Sequence, residues 1–109
     1  MRTVEQCAAP PAAMEYAAKV RKCLGAHARQ VILFGSQARG DATVASDYDF
    51  VIVVDKRSRE LREMIGDVGA DLLNESEALC AAMIYDGEQW EKVRQSPLGW
   101  NVEREGVLL

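Results

Sequence analysis

Apolar residues recur at helical spacing early in the chain. Met14, Ala17, Ala18, Val20 and Leu24 share one side of the stretch from Ala12 to Gly25. Pro10 and Pro11 precede it and Gly25 offers a stop, so a helix is predicted there. The period then shortens. Val31 to Phe34 and Asp49 to Val54 are β-rich runs, and in the second the residues of both parities are apolar. A strand with that pattern is covered on both faces and belongs in the middle of a sheet. Helical spacing returns from Arg59 to Leu73, with Leu61, Met64, Ile65, Val68 and Leu72 on one face, Ser58 as N-cap and Asn74 as a candidate stop. Leu79 to Tyr85 reads as a third strand, although "LCAAMIY" also fits a buried helix. Glu88 to Arg94 reads as a short helix broken by Ser96-Pro97, and Leu98 to Glu105 as a last helix stopped by Gly106, before a tail from Val107 to Leu109. Residues 1–11 show no periodicity and are expected to form a loose arm. Strands alternating with helices predict an α+β fold, α/β-like, with a small mixed sheet flanked by helices. At 109 residues it should form one domain, residues 1–109.

Composition narrows the function classes. No apolar run approaches the roughly 18 residues of a membrane span. No leader pattern is visible, so a cytoplasmic location is expected. The formal net charge of −4 disfavours bulk binding to nucleic acid. The local basic cluster of Lys56, Arg57, Arg59 and Arg62 reads as a solvated helix start. Three cysteines, Cys7, Cys23 and Cys80, form no C-x-x-C pair, and His27 is the one histidine, which argues against a Cys/His zinc site. Cys23 and His27 stand four apart, the spacing of a nucleophile and base on a helix, but the sequence offers no third group to orient them.

The chemistry concentrates between the first two strands, in "VILFGSQARGDATVASDYDFVIVV". Gly35 follows a strand directly and Ser36 begins what reads as one helical turn, Ser36 to Arg39, within a loop from Gly35 to Ser46. A glycine lets backbone approach a ligand closely, and N–H groups at a helix start suit phosphate. Gly35 and Gly40 have P-loop spacing, but Asp41 stands where that motif needs lysine. Positive charge must come from elsewhere. Asp47 and Asp49 lie two apart at a strand entrance, so their carboxylates share one side. Two such groups repel unless a cation lies between them. Mg²⁺ suits the pair, since it takes oxygen ligands and shares substrate phosphates. A phosphate-binding loop beside a divalent metal fits phosphoryl or nucleotidyl transfer. On its own, a D-x-D at a strand entrance is more often just a polar cap or turn than a metal site.

Gly35, Ser36, Gly40, Ser46, Asp47 and Asp49 match, one by one, the G-S-x-x-x-G…S-D-x-D signature that the segment resembles. That signature belongs to the minimal nucleotidyltransferases of the polymerase-beta-like superfamily, and the tail "SPLGWNVEREGVLL" is similar to tails of small members. The resemblance implies a nucleotidyltransferase fold, a triphosphate held by Gly35 and Ser36, and Mg²⁺ held by catalytic Asp47 and Asp49. It implies transfer of a nucleoside monophosphate from a triphosphate such as ATP, with release of pyrophosphate. In this setting Gly40 shapes the loop, Ser46 orders the turn into Asp47, and Arg39 either meets phosphate or stays a solvated loop arginine. Lys56 reads first as a strand-end charge, Asp71 as solvent-facing, and Tyr48 as packed away from the metal.

One departure stands out. The family carries a third carboxylate on a later strand, whereas Leu79 to Tyr85 contains no acid and Ala81 or Ala82 occupies the place. Glu77 and Asp86 flank that strand as substitutes. Short members of the family resemble antitoxin subunits that work beside a HEPN-type partner, which they nucleotidylate or simply mask. Trp90 and Trp100 are each candidates for such an interface or for the core. The sequence leaves the acceptor, the base preference and the oligomeric state, a homo-oligomer included, open.

Overall fold

The computed structural model describes residues 1–43 and 46–109. Positions 44 and 45 of the expected Gly35-to-Ser46 loop lie outside the described residues. The elements in chain order are β1 (Arg2–Thr3), α1 (Pro11–Leu24), β2 (Ala28–Phe34), α2 (Ser36–Arg39), β3 (Tyr48–Val54), α3 (Arg59–Ser76), β4 (Cys80–Asp86), α4 (Gly87–Val93), α5 (Pro97–Glu105) and β5 (Val107–Leu108). The strands form one mixed sheet in the order β1-β5-β2-β3-β4. β2 runs antiparallel to β3 and to β5, whereas β3–β4 and β1–β5 are parallel. This is the mixed α+β architecture expected from the alternation of periods.

Local chemistry sets the boundaries. Pro11 starts α1, where its missing N–H costs nothing. Ser58 caps α3 by accepting from the Leu61 N–H at 3.1 Å. Asp86 and Gln89 form a reciprocal capping box at α4, and Ser96 with Pro97 starts α5. Asn74 does not stop α3. The helix runs on to Ser76 and ends at Glu77, in the left-handed conformation at φ 56°.

Helices cover both faces of the sheet. On one face Phe50, Ile52 and Val54 of β3, with Val31 and Leu33 of β2, pack against Tyr16, Ala17 and Val20 of α1 and Leu61, Ile65 and Leu72 of α3. On the other face Val51, Val53 and Ile32 pack against Trp90 of α4 and Val102 of α5. β3 is therefore buried on both sides, as its unbroken apolar run predicts. Trp90 belongs to the core and Trp100 is 75% exposed.

The first eleven residues differ from the loose arm expected. Arg2 and Thr3 pair with Val107 and Leu108, and the Arg2 guanidinium donates to the carbonyls of Ala38 and Glu105 at 2.8 Å each. The tail expected after Gly106 is a strand inserted between β1 and β2. These two-residue strands exist only through partners far away in the chain, so no local pattern announces them. Among the described residues no helix is long and apolar enough to cross a membrane.

Candidate active site

The alternation of β3 decides which way its side chains point. Phe50, Ile52 and Val54 face α1 and α3, so Asp49, Val51 and Val53 face the side of α4 and α5. Asp49 sits beside Gly35, the residue that joins β2 to the single turn α2. Gly35 has φ +79°, and a Cβ there would fall 2.6 Å from Asp49 Oδ2. Glycine is thus required twice over, by the backbone conformation and by the carboxylate against it. Gly40 closes the turn at φ +85°, and its N–H returns to the Ser36 carbonyl. The N–H groups of Ser36 and Gln37 open α2 and so have no acceptor within the helix.

Asp47 is exposed just ahead of β3. The turn into it is held by Ser46, whose hydroxyl accepts from the Thr43 N–H at 2.9 Å and whose carbonyl accepts from Gln37 Nε2 at 3.3 Å. A cleft of about 600 Å³ opens here, lined in part by Gln37, Thr43, Ser46, Asp47, Tyr48 and Glu77. Burial pushes the Asp49 carboxyl above the ordinary aspartate range, the negative charges of Asp47 and Glu105 add to the rise, and Arg39 opposes it. An aspartate held above its ordinary range beside a second carboxylate marks a site short of positive charge.

Glu105, which the sequence reading did not single out, supplies the remaining geometry. Its side chain, 13% exposed, accepts from the Gly35 N–H at 3.1 Å and from Arg39 Nη1 at 3.1 Å. Arg39 also contacts Asp41 Oδ2 at 3.2 Å. Its guanidinium is held more firmly protonated than usual by hydrogen bonds to Asp41 and Glu105. One signal was available: Glu105 is the last residue of α5, where the helix dipole disfavours a carboxylate. A residue kept at an unfavourable place has a reason nearby. We expect Glu105→Ala to cost about 1–3 kcal/mol, the scale of a lost hydrogen bond to a charged group. Urea denaturation checks this, and a loss below about 0.5 kcal/mol would class these contacts with weak surface pairs.

The register settles the position across from the aspartates. Asp49 pairs with Ala81, and Phe50 with Ala82. Ala81 is exposed on the face of Asp49, whereas Ala82 packs against the core beside Phe50. Ala81 therefore stands where a third carboxylate would serve the pair. Asp86 cannot stand in for it. It lies five residues further along β4, roughly 16 Å by strand rise, and its side chain caps α4 at 2.8 Å from the Gln89 N–H. Glu77 borders the same cleft as Asp47. The Cys23–His27 idea is not supported. His27 Nδ1 meets Asp55 Oδ2 at 2.8 Å, and no hydrogen bond joins Cys23 to His27 among the described residues.

Among the described residues no group of three or more His, Cys, Asp or Glu is placed to hold a metal by itself. Two carboxylates with substrate phosphates completing the shell remain a fit for Mg²⁺, which is commonly held that way.

Comparison with known proteins bears on the family and the fold. A family model described as "Nucleotidyltransferase domain" matches residues 17–101. No curated protein matches. Among solved structures, a mutant of the toxin–antitoxin MntA-HpeT is similar at 18% identity and TM-score 0.54, over 85% of this chain and 68% of that one. A toxin–antitoxin crystallised with AMP-PNP is similar at 18% identity and TM-score 0.55, over the same shares of 85% and 68%. At that identity the likeness is one of fold.

Proposed function

The chain belongs to the nucleotidyltransferase domain family, and from that premise we propose that residues 1–109 act as one Mg²⁺-dependent nucleotidyltransferase domain, working in the cytoplasm. It transfers a nucleoside monophosphate from a triphosphate, ATP first, to a hydroxyl of a HEPN-type partner protein. The observation that carries this reading is the meeting of Asp49 Oδ2 with the Cβ-free face of Gly35, beside Arg39. The bare backbone of Gly35 lets a carboxylate that needs a cation lie against the start of α2, whose Ser36 and Gln37 N–H groups would take phosphate.

In this reading Gly35, Ser36 and Gly40 shape the loop that takes the triphosphate, with the Ser36 hydroxyl and the N–H groups opening α2 as donors. Arg39 turns from Glu105 and Asp41 to the phosphate oxygens, which its planar fork matches. Ser46 keeps Asp47 at the cleft. Asp47 and Asp49 would hold Mg²⁺, which would supply positive charge to the phosphates. The acceptor oxygen bonds to the α-phosphorus, the bond to the bridging oxygen breaks, and the acceptor proton passes to a base or to solvent. The fold shared with a toxin–antitoxin, and with one crystallised with AMP-PNP, supports a protein partner and an ATP-like nucleotide.

Calorimetric titration with AMP-PNP tests the reading. Heat of binding is expected with Mg²⁺ and not with EDTA. Equal affinity under both conditions would remove the metal from the site, and no binding under either would reduce the motif to scaffold.

A second reading is favoured by Ala81 itself. Without a third carboxylate opposite Asp49, the domain acts by binding and masking its partner. Partner protection by the Asp47→Asn, Asp49→Asn double variant separates the two. Full protection favours masking, and lost protection favours transfer.

A further inference from the structure

Glu105 has a second role, set by the groups it sits on. Its carboxylate holds a backbone donor and a guanidinium at once. Oε1 accepts from the Gly35 N–H at 3.1 Å, and Arg39 Nη1 reaches Oε1 at 3.3 Å and Oε2 at 3.1 Å. Gly35 is also the residue against which Asp49 Oδ2 lies. The negative charge of Glu105 is felt there, since it helps to raise the Asp49 carboxyl. An N–H beside a guanidinium is a seat for an anion. Here the chain fills that seat with a carboxylate of its own.

The backbone of Glu105 is fastened in place. Gly106 turns the chain from α5 directly into β5. Its N–H returns to the Val102 carbonyl at 2.8 Å, and a Cβ at Gly106 would collide with that same carbonyl. Arg2 then ties Glu105 to α2, donating to the Glu105 and Ala38 carbonyls at 2.8 Å each. Only the side chain of Glu105 is free to leave, and at 13% exposure it has little water to turn to. Arg39 is the looser partner, 45% exposed, and Asp41, its other carboxylate, is 62% exposed. Arg39 can swing away, and Glu105 cannot follow it.

Resting on the nucleotidyltransferase reading, we propose that Glu105 is the resident anion of the phosphate site and sets its affinity, so that a triphosphate binds by displacing this carboxylate from Arg39. Phosphate oxygens and the Glu105 carboxylate suit the same planar fork and compete for it. Once Arg39 turns to phosphate, Glu105 keeps its charge and loses its cation, close to Asp49 and to the incoming oxygens. Both effects oppose binding. Without nucleotide, the same contact occupies Arg39 and the Gly35 N–H and holds α2 to the end of α5.

Calorimetric titration with AMP-PNP in the presence of Mg²⁺, wild type against Glu105→Gln, is the test. Glutamine still accepts from the Gly35 N–H but brings no charge to Arg39. The variant is expected to bind about 10-fold more tightly, because a charged hydrogen bond no longer has to be broken. A residue that only supports the fold would lose affinity when replaced, never gain it. Glu105→Ala, shown by its urea transition to be folded, is expected to gain affinity as well. Asp41→Asn is the control. It takes a charge from the same guanidinium, but from an exposed pair, and should change affinity by about twofold or less. Binding by Glu105→Gln where the wild type shows none would support the proposal in its strongest form. Unchanged or weaker binding by Glu105→Gln, with the wild type binding, overturns it and leaves the nucleotidyltransferase reading standing. An equal gain in Asp41→Asn also overturns it, since loss of negative charge at large would then be the cause. No binding by any of these chains overturns both.

Discussion

Ala81→Asp is expected to raise Mg²⁺-dependent release of pyrophosphate from ATP by about 10²–10⁴-fold, the contribution of a positioned base. The register is the reason. Ala81 is the Cα partner of Asp49 on a parallel neighbour, about 4.8 Å away across the ladder, on the same face and exposed. A carboxylate there reaches the space between Asp47 and Asp49 without disturbing the core. It also adds a negative charge to a place where Asp47 and Glu105 already push Asp49 upward. The metal-free variant should therefore melt below the wild type, and Mg²⁺ should recover the difference. Ala82→Asp is the control. Ala82 packs beside Phe50, so a carboxylate there is buried without a partner and should cost stability while giving no rate. Equal turnover in Ala81→Asp and wild type would mean that the proton goes elsewhere, and would favour masking over transfer.

This pair of alanines shows where sequence reasoning stops. The period of a strand says that Ala81 and Ala82 face opposite sides, but not which side holds the aspartates. Only the register with β3 decides that. The loop was more legible. Gly35, Ser36, Gly40, Ser46, Asp47 and Asp49 lie within fifteen residues, so their spacing alone brings them together, and β3 reads as central because both its faces are apolar. Glu105 and Arg2 were not legible in the same way. They reach Gly35 and Ala38 from the two ends of the chain, through β1 and β5, which pair only once the sheet exists. Long-range contacts made by two-residue strands leave no periodic trace.

Asp49→Asn carries the second large effect, and its two consequences run in opposite directions. Binding of Mg²⁺ and AMP-PNP is expected to fall by at least about 10²-fold, because even outer-shell losses at metal sites cost roughly 10–100-fold. The fold, in contrast, should lose nothing. The Asp49 carboxyl is raised first by burial and then by Asp47, so the native chain holds its proton to a higher pH than the unfolded chain does. Between the two pKa values the native state binds more protons, and wild-type stability falls as pH rises through that window. Asparagine carries no such proton. The variant's stability relative to wild type should therefore grow from acid towards neutral pH, and its Tm at pH 7 should equal or exceed the wild type's. The wild type's metal affinity should fall on acidification at a pH above that of an ordinary aspartate, since proton and metal compete for one carboxylate. A lower Tm for Asp49→Asn at neutral pH would mean that Asp49 is a structural cap on β3. A retained affinity for AMP-PNP with Mg²⁺ would move the metal away from Asp49 altogether. Loss of binding with full stability is the signature of a carboxylate kept, against the stability of the fold, for its ligand.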